Sequence, residues 1–449
     1  MVCTPRKTKS CFLSAMLVLF PLAVLCGETG FPAEPLPPPG FPETARVRRL
    51  AETRWLQDAW SAVSARAPET VTDEFGFRAE FSCAVDSGTS RLTVFVRPEN
   101  AHGIQGEWRL IRSPDTGRNE EIRIFPVDDE NIFLSLTPDP ADSGKSLLAV
   151  SVYGLFLREG IPLGVPFTPL LTMPLTEIIR MTQDTAPWAL FRPDPAGSRD
   201  SRLIARAIRE NLSVLFYADD GALDENGRPV HIEDLSPQDT PPEGTVGGVN
   251  CSGFVKWIID GIIRPAAGNG LFIGPLKTST SNPGSHFTEP HRETRDLFFG
   301  LDWCRNLAAA VVSLQRGETI LPAESGTDVT VSPFSGGNGY YEDAGYPVAE
   351  LLPLLYTLAV QEPGCFYLGA LNRLRGDPPL RQYHHVAALF PYFTAEGRFA
   401  VAVFESAVET GTGVFLARNR DAFIHLSRVP LPEAERFFPQ TAPAGPQEP

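Results

Sequence analysis

The spacing of apolar residues changes several times along the chain, and each change marks a different kind of element. Residues 12–25 are a continuous apolar run behind Arg6, Lys7 and Lys9. The run is shorter than the ~20 residues a bilayer-spanning helix needs, so residues 1–26 read as an export signal. Proline then crowds residues 27–43, favouring an extended, hydrated linker over a packed element. Over 44–65, Leu56, Trp60 and Val63 recur at helical spacing, and Pro68 ends the predicted helix.

From 71 to 156 the period drops to two. Phe75, Phe77, Ala79, Phe81, Cys83 and Val85 alternate with small or polar residues, and Leu92, Val94 and Val96 follow the turn Asp86-Ser87-Gly88. With the short apolar runs that follow, this predicts about six strands separated by turn residues. Residues 44–170 are thus expected to form a helix and a small all-β domain, sandwich- or barrel-like. A second helix is predicted over 199–215, followed by a polar, turn-rich loop over 217–242. Residues 171–438 are expected to be an α+β domain that carries the chemistry, and residues 439–449 a disordered tail.

Composition narrows the function. The net charge of −15 and the lack of a Lys/Arg cluster after the first ten residues argue against nucleic-acid binding. Seven cysteines stand at 3, 11, 26, 83, 251, 304 and 365, with no spacing that suggests a zinc site. Cys26 closes the apolar run as Leu-Ala-Val-Leu-Cys, similar to a bacterial lipoprotein signal. A lipid anchor at Cys26 and an ordinary cleaved signal are both open readings, and both place the protein in the cell envelope. His286 and His291 flank Glu289, but their loop has no ligand-bearing helix pattern, so no metal or other cofactor is expected.

One constellation combines a nucleophile with a base. Gly247-Gly248-Val249-Asn250-Cys251-Ser252-Gly253-Phe254-Val255 leads into a segment in which Phe254, Ile258 and Ile262 recur on one helical face. Cys251 falls in the first turn, where the positive end of the helix dipole favours a thiolate and exposed N–H groups can hold an oxyanion. Downstream, His384 and His385 open an apolar strand, and Phe399-Ala400-Val401-Ala402-Val403-Phe404 ends in Glu405. Paired as a hairpin, these strands bring Glu405 beside His385, where the carboxylate is expected to accept the Nδ1 proton and orient the ring. His384 should face the other side of the strand and is the fallback base. Tyr340, Tyr341, Glu342 and Asp343 either line a cleft or cover the core.

The run Asn250-Cys251-Ser252-Gly253-Phe254-Val255, then Pro363-Gly364 before an aromatic strand, then His385-Val386 before a hairpin, resembles the NlpC family of cell-wall cysteine peptidases. The resemblance covers about residues 244–427. It implies a papain-like domain, with the cysteine helix packed on an antiparallel sheet, that hydrolyses peptide bonds in peptidoglycan stem peptides. Carried over by motif, Cys251 is the nucleophile, His385 the base and Glu405 the orienting residue. Asn250 replaces the family's usual acidic residue, and Glu405 is a less common third member. A long insertion, 264–360, separates Cys251 from His385. The tyrosine usually found about a dozen residues upstream is missing, and Tyr217 is too distant in sequence to assign. The alternatives are an envelope binding lipoprotein without turnover on the same scaffold, and a thiol-dependent amidase or acyltransferase.

Overall fold

The period-two region folds into one antiparallel sheet of eight strands joined in chain order, not the six expected: the edge strands Glu69–Thr72 and Leu155–Pro162 bury too few side chains to show a period of two. Its strands alternate as the pattern requires: Ala79, Phe81, Leu92, Val94, Val96, Leu134, Leu136, Leu148 and Val150 are all buried on one side. The computed structural model describes residues 36–101, 103–280, 297–377 and 379–443. The export signal and Cys26 lie outside the described residues, as do His286, Glu289 and His291.

The predicted helix over 44–65 is interrupted. It runs Ala45–Ala51, widens to a π turn over Glu52–Leu56 and resumes at Trp60–Ser64. The extra residue in the turn lets Trp55 and Leu56 both reach the core, where Trp55 packs against Phe81. The indole of Trp55 also donates to Glu69 at 3.0 Å. At the break, Asp58 accepts from the backbone of Ala59 at 2.8 Å and starts the last turn.

The C-terminal half is built on a second antiparallel sheet, of six strands. Its order is Tyr346–Pro347, Phe423–Pro430, Cys365–Arg375, Leu380–Phe393, Phe399–Glu405, Val408–Thr410. Together the two sheets and the helices make an α+β architecture. One face of the six-stranded sheet carries Leu371, Leu389, Val403 and Leu426 into the same core as the eight-stranded sheet, with the helix Leu351–Gln361. The other face carries Phe366, Leu368, Ala388, Phe390 and Phe404 into a second core. That core holds the helices Arg199–Asn211, Cys251–Ala267 and Phe299–Arg316.

The expected tail starts inside the fold. Gln440 accepts from the Trp257 indole at 2.9 Å through its carbonyl and from Arg264 at 2.6 Å through its side chain. Among the described residues no helix is long and apolar enough to cross a membrane.

Candidate active site

Cys251 is the first residue of the helix Cys251–Ala267. Asn250 caps it: the side-chain oxygen accepts from Gly253 N–H at 2.9 Å. The backbone before the cap is clamped. Gly247–Val249 pairs in parallel with Leu215–Tyr217, and Asn250 N–H donates to the Gly221 carbonyl at 2.9 Å. This explains the glycines of the motif. A Cβ on Gly253 would lie 2.1 Å from the Gly221 carbonyl oxygen, and one on Gly248 would lie 2.3 Å from the Ala218 Cβ.

The strand pairing also relocates a residue that sequence distance had left unassigned. Tyr217 is the direct partner of Val249, two residues before the nucleophile candidate, and its side chain is exposed. A strand crossover of this kind leaves no trace in local spacing. The apolar triplet Leu215-Phe216-Tyr217 ahead of a polar loop was the only signal for it.

His385 sits on the strand Leu380–Phe393, opposite Leu371. The register then slips: Asn372 pairs with Tyr383, and His384 is the extra residue of a bulge. His384 Nδ1 lies 3.4 Å from the Gln382 carbonyl, and burial together with nearby Arg373 pushes its imidazole down to about 4. His385 is the histidine brought to Cys251. Its Nε2 lies 2.7 Å from Glu405 Oε2, which leaves Nδ1 for the sulfur. The expectation that Glu405 would take the Nδ1 proton is therefore corrected. The two strands place the carboxylate at the far nitrogen, because the helix approaches the ring from its other edge.

The electrostatics of the group are mutually consistent. Burial pushes the Cys251 thiol up, but hydrogen bonds from His385, the Val386 amide and Ser252, with the charge on His385, outweigh it and lower it overall. Burial would push His385 down, yet Cys251 and Glu405 raise it to about 9. Glu405 is only 3% exposed. Burial opposes its charge, but His385, Thr410 and Arg418 hold it down to about 2. Its second oxygen, Oε1, accepts from Thr410 at 2.6 Å and from the guanidinium of Arg418. Neither Thr410 nor Arg418 carried a sequence signal, since their contacts depend on a tight turn after Glu405. At the foot of the site Trp303 donates to the Ser252 carbonyl at 3.0 Å, and the fully buried Cys304 lies close enough to sense the Cys251 charge. Cys83, Cys251, Cys304 and Cys365 are all free thiols.

The segment 340–343 has a structural part. Arg305 donates to Asp328 at 2.6 Å and to Asp343 at 2.8 Å, and Tyr383 donates to the Asp343 carbonyl. Tyr340 packs on Tyr346 and His425. This network ties Arg305, Asp328 and Asp343 to the strand that carries His385. Among the described residues no cluster of His, Cys, Asp and Glu could hold a metal ion.

A domain of unknown function (DUF8515) matches residues 38–190, which hold the interrupted helix and the eight-stranded sheet but none of the site residues. No curated protein and no solved structure matches the chain.

Proposed function

We propose that the protein is an exported cysteine hydrolase with a papain-like, NlpC-type catalytic domain, cleaving peptide bonds in peptidoglycan stem peptides. The observation that carries this reading is the linked group Cys251, His385 and Glu405, in which the thiol is lowered and the imidazole raised. A thiolate beside an imidazolium is the form a cysteine nucleophile needs at neutral pH.

The geometry supports the following chemistry. The Cys251 sulfur attacks the substrate carbonyl carbon, and the carbonyl π electrons move onto oxygen. At the helix start Asn250 N–H is taken by Gly221, Gly253 N–H by the cap and Phe254 N–H by the Asn250 carbonyl. Among the described residues, the first-turn amides of Cys251 and Ser252 have no acceptor within the helix, which supports them as the oxyanion donors. His385 gives its Nδ1 proton to the leaving amine, and a thioester forms. The neutral ring then takes a proton from water, whose oxygen attacks the thioester and releases the acid. Glu405 keeps the ring oriented throughout and stabilises its charged form.

The test is incubation with purified peptidoglycan, counting new amine termini. Cys251→Ala is expected to abolish their release while leaving the melting temperature within a few degrees. Equal release by wild type and Cys251→Ala would overturn the assignment. Transfer of the acyl group to an added amine without net hydrolysis would move it to the acyltransferases.

A further inference from the structure

Resting on the thiol-hydrolase reading, we propose that Arg418 and Thr410 are positioning residues for the reacting pair. They hold one oxygen of Glu405 so that the other stays ionised and aimed at His385. The two carboxylate oxygens divide their work. Oε2 meets His385 Nε2 at 2.7 Å, while Oε1 receives the Thr410 hydroxyl at 2.6 Å and the Arg418 guanidinium. A glutamate side chain has one more rotatable bond than an aspartate, so a buried Glu405 held at one oxygen only could swing its carboxylate off the imidazole. With both oxygens engaged, rotation breaks two hydrogen bonds at once.

The local chain is built to bring these donors round. Glu405 pairs with Val408 across a two-residue turn, Ser406-Ala407, and both turn residues have positive φ, 48° and 64°. The return strand Val408–Thr410 then leads into the short helix Thr412–Arg418, whose last residue reaches back to Glu405. Arg418 is half exposed and Glu405 buried, so a solvated cation reaches in to compensate a carboxylate that burial would otherwise protonate.

Titratable and charged groups face the pair from the neighbouring elements. Cys251 approaches from its helix, His384 lies beside His385 on the same strand, and Arg373 stands on the adjacent strand. The ion pair of Arg209 and Glu409 lies alongside, with Glu409 opposite Phe404 in the sheet. Among the described residues, Arg418 is the arginine that bonds to Glu405, at the oxygen His385 leaves free. Without it the carboxylate takes up a proton at higher pH, the imidazolium loses its partner, and the thiolate forms less readily in acid.

The readout is the rate of iodoacetamide alkylation at the Cys251 peptide, followed by mass spectrometry from pH 4 to 10 on the full chain. It needs no substrate. For wild type, rapid alkylation well below the pKa of a free thiol is expected. If wild type shows none, the hydrolase reading fails before Arg418 is in question. For Arg418→Gln, the acid limb is expected to move to higher pH, with alkylation near pH 5 falling three- to tenfold and the rate at pH 10 unchanged. Arg418→Lys should recover most of the rate, and Thr410→Val should show a smaller shift of the same sign. A wild-type profile for Arg418→Gln, or a loss equal at every pH, would overturn the positioning role while leaving the hydrolase reading intact. A melting curve for each variant separates unfolding from either result.

Discussion

His385 and Glu405 are coupled but contribute to stability over different pH ranges, and this makes their contribution testable. Its pKa is raised to about 9, so the stabilisation it gains from its partners is complete below the unfolded value of about 6.5 and is lost as pH rises through about 9. Glu405 is held down to about 2, so its contribution is present above the unfolded value of about 4.3 and is lost as pH falls through about 2. Both are in force between about pH 4.3 and 6.5. Glu405→Gln is expected to cost on the order of 2 kcal/mol there, the usual worth of a hydrogen bond to a charged group. Thermal melts from pH 3 to 10 should show the gap to wild type narrowing toward alkaline pH. A gap that stays constant up to pH 10 would show that His385 is not the partner concerned. The turn after Glu405 is a second case at this scale. Ser406 and Ala407 occupy left-handed backbone that Asn and Gly adopt readily. The double change Ser406→Asn with Ala407→Gly should raise stability by about 1 kcal/mol. A lower melting temperature would contradict that account.

At the scale of elements, the site depends on how closely the cysteine helix can approach the loop 218–222. Gly253 faces the Gly221 carbonyl with no room for a side chain, and the obstructing atom is backbone that cannot rotate away. Gly253→Ala should therefore push the helix start outward, at a cost of about 1–3 kcal/mol for an overpacked contact. Since the first turn carries both the thiol and the candidate oxyanion amides, alkylation of Cys251 at pH 6 should slow along with the fall in melting temperature. Normal stability and normal thiol reactivity together would mean that this contact does not set the helix position. The bulge at His384 belongs to the same scale. Alternation along the strand suggested that consecutive histidines face opposite ways, but the register slip leaves His384 outside the pairing and fixes His385 opposite Leu371.

At the scale of the whole molecule, the two sheets share one core, so the residues matched by DUF8515 are not packed apart from the site-bearing half. Tyr356, on the helix Leu351–Gln361, meets Tyr153 from the turn between the last two strands of the eight-stranded sheet, and Phe393 and Phe399 from the six-stranded sheet. Its hydroxyl donates to the Leu190 carbonyl at 2.6 Å. Tyr356→Ala should destabilise by about 3–5 kcal/mol, the range for truncating a large buried ring. Calorimetry is expected to show a single transition at lower temperature. Two separated transitions in the wild-type protein would show that the halves unfold independently.

The sequence by itself determined the elements whose signal is local. Six of the eight strands of the first sheet were legible from alternation, since one buried and one solvated face impose period two; the two edge strands bury too few side chains to show it. The cysteine helix and the hairpin that brings Glu405 to His385 were legible for the same kind of reason: each depends on neighbours within a turn or a short loop. Tertiary structure decided what depends on close approach between distant segments. It placed Tyr217 beside Val249, chose His385 over His384, gave Glu405 the Nε2 edge of the ring and supplied Arg418 as its counter-ion. Those outcomes turn on register, on the direction from which a helix meets a strand, and on burial of charge. Such quantities arise only when several elements occupy the same space, so no spacing along the chain encodes them.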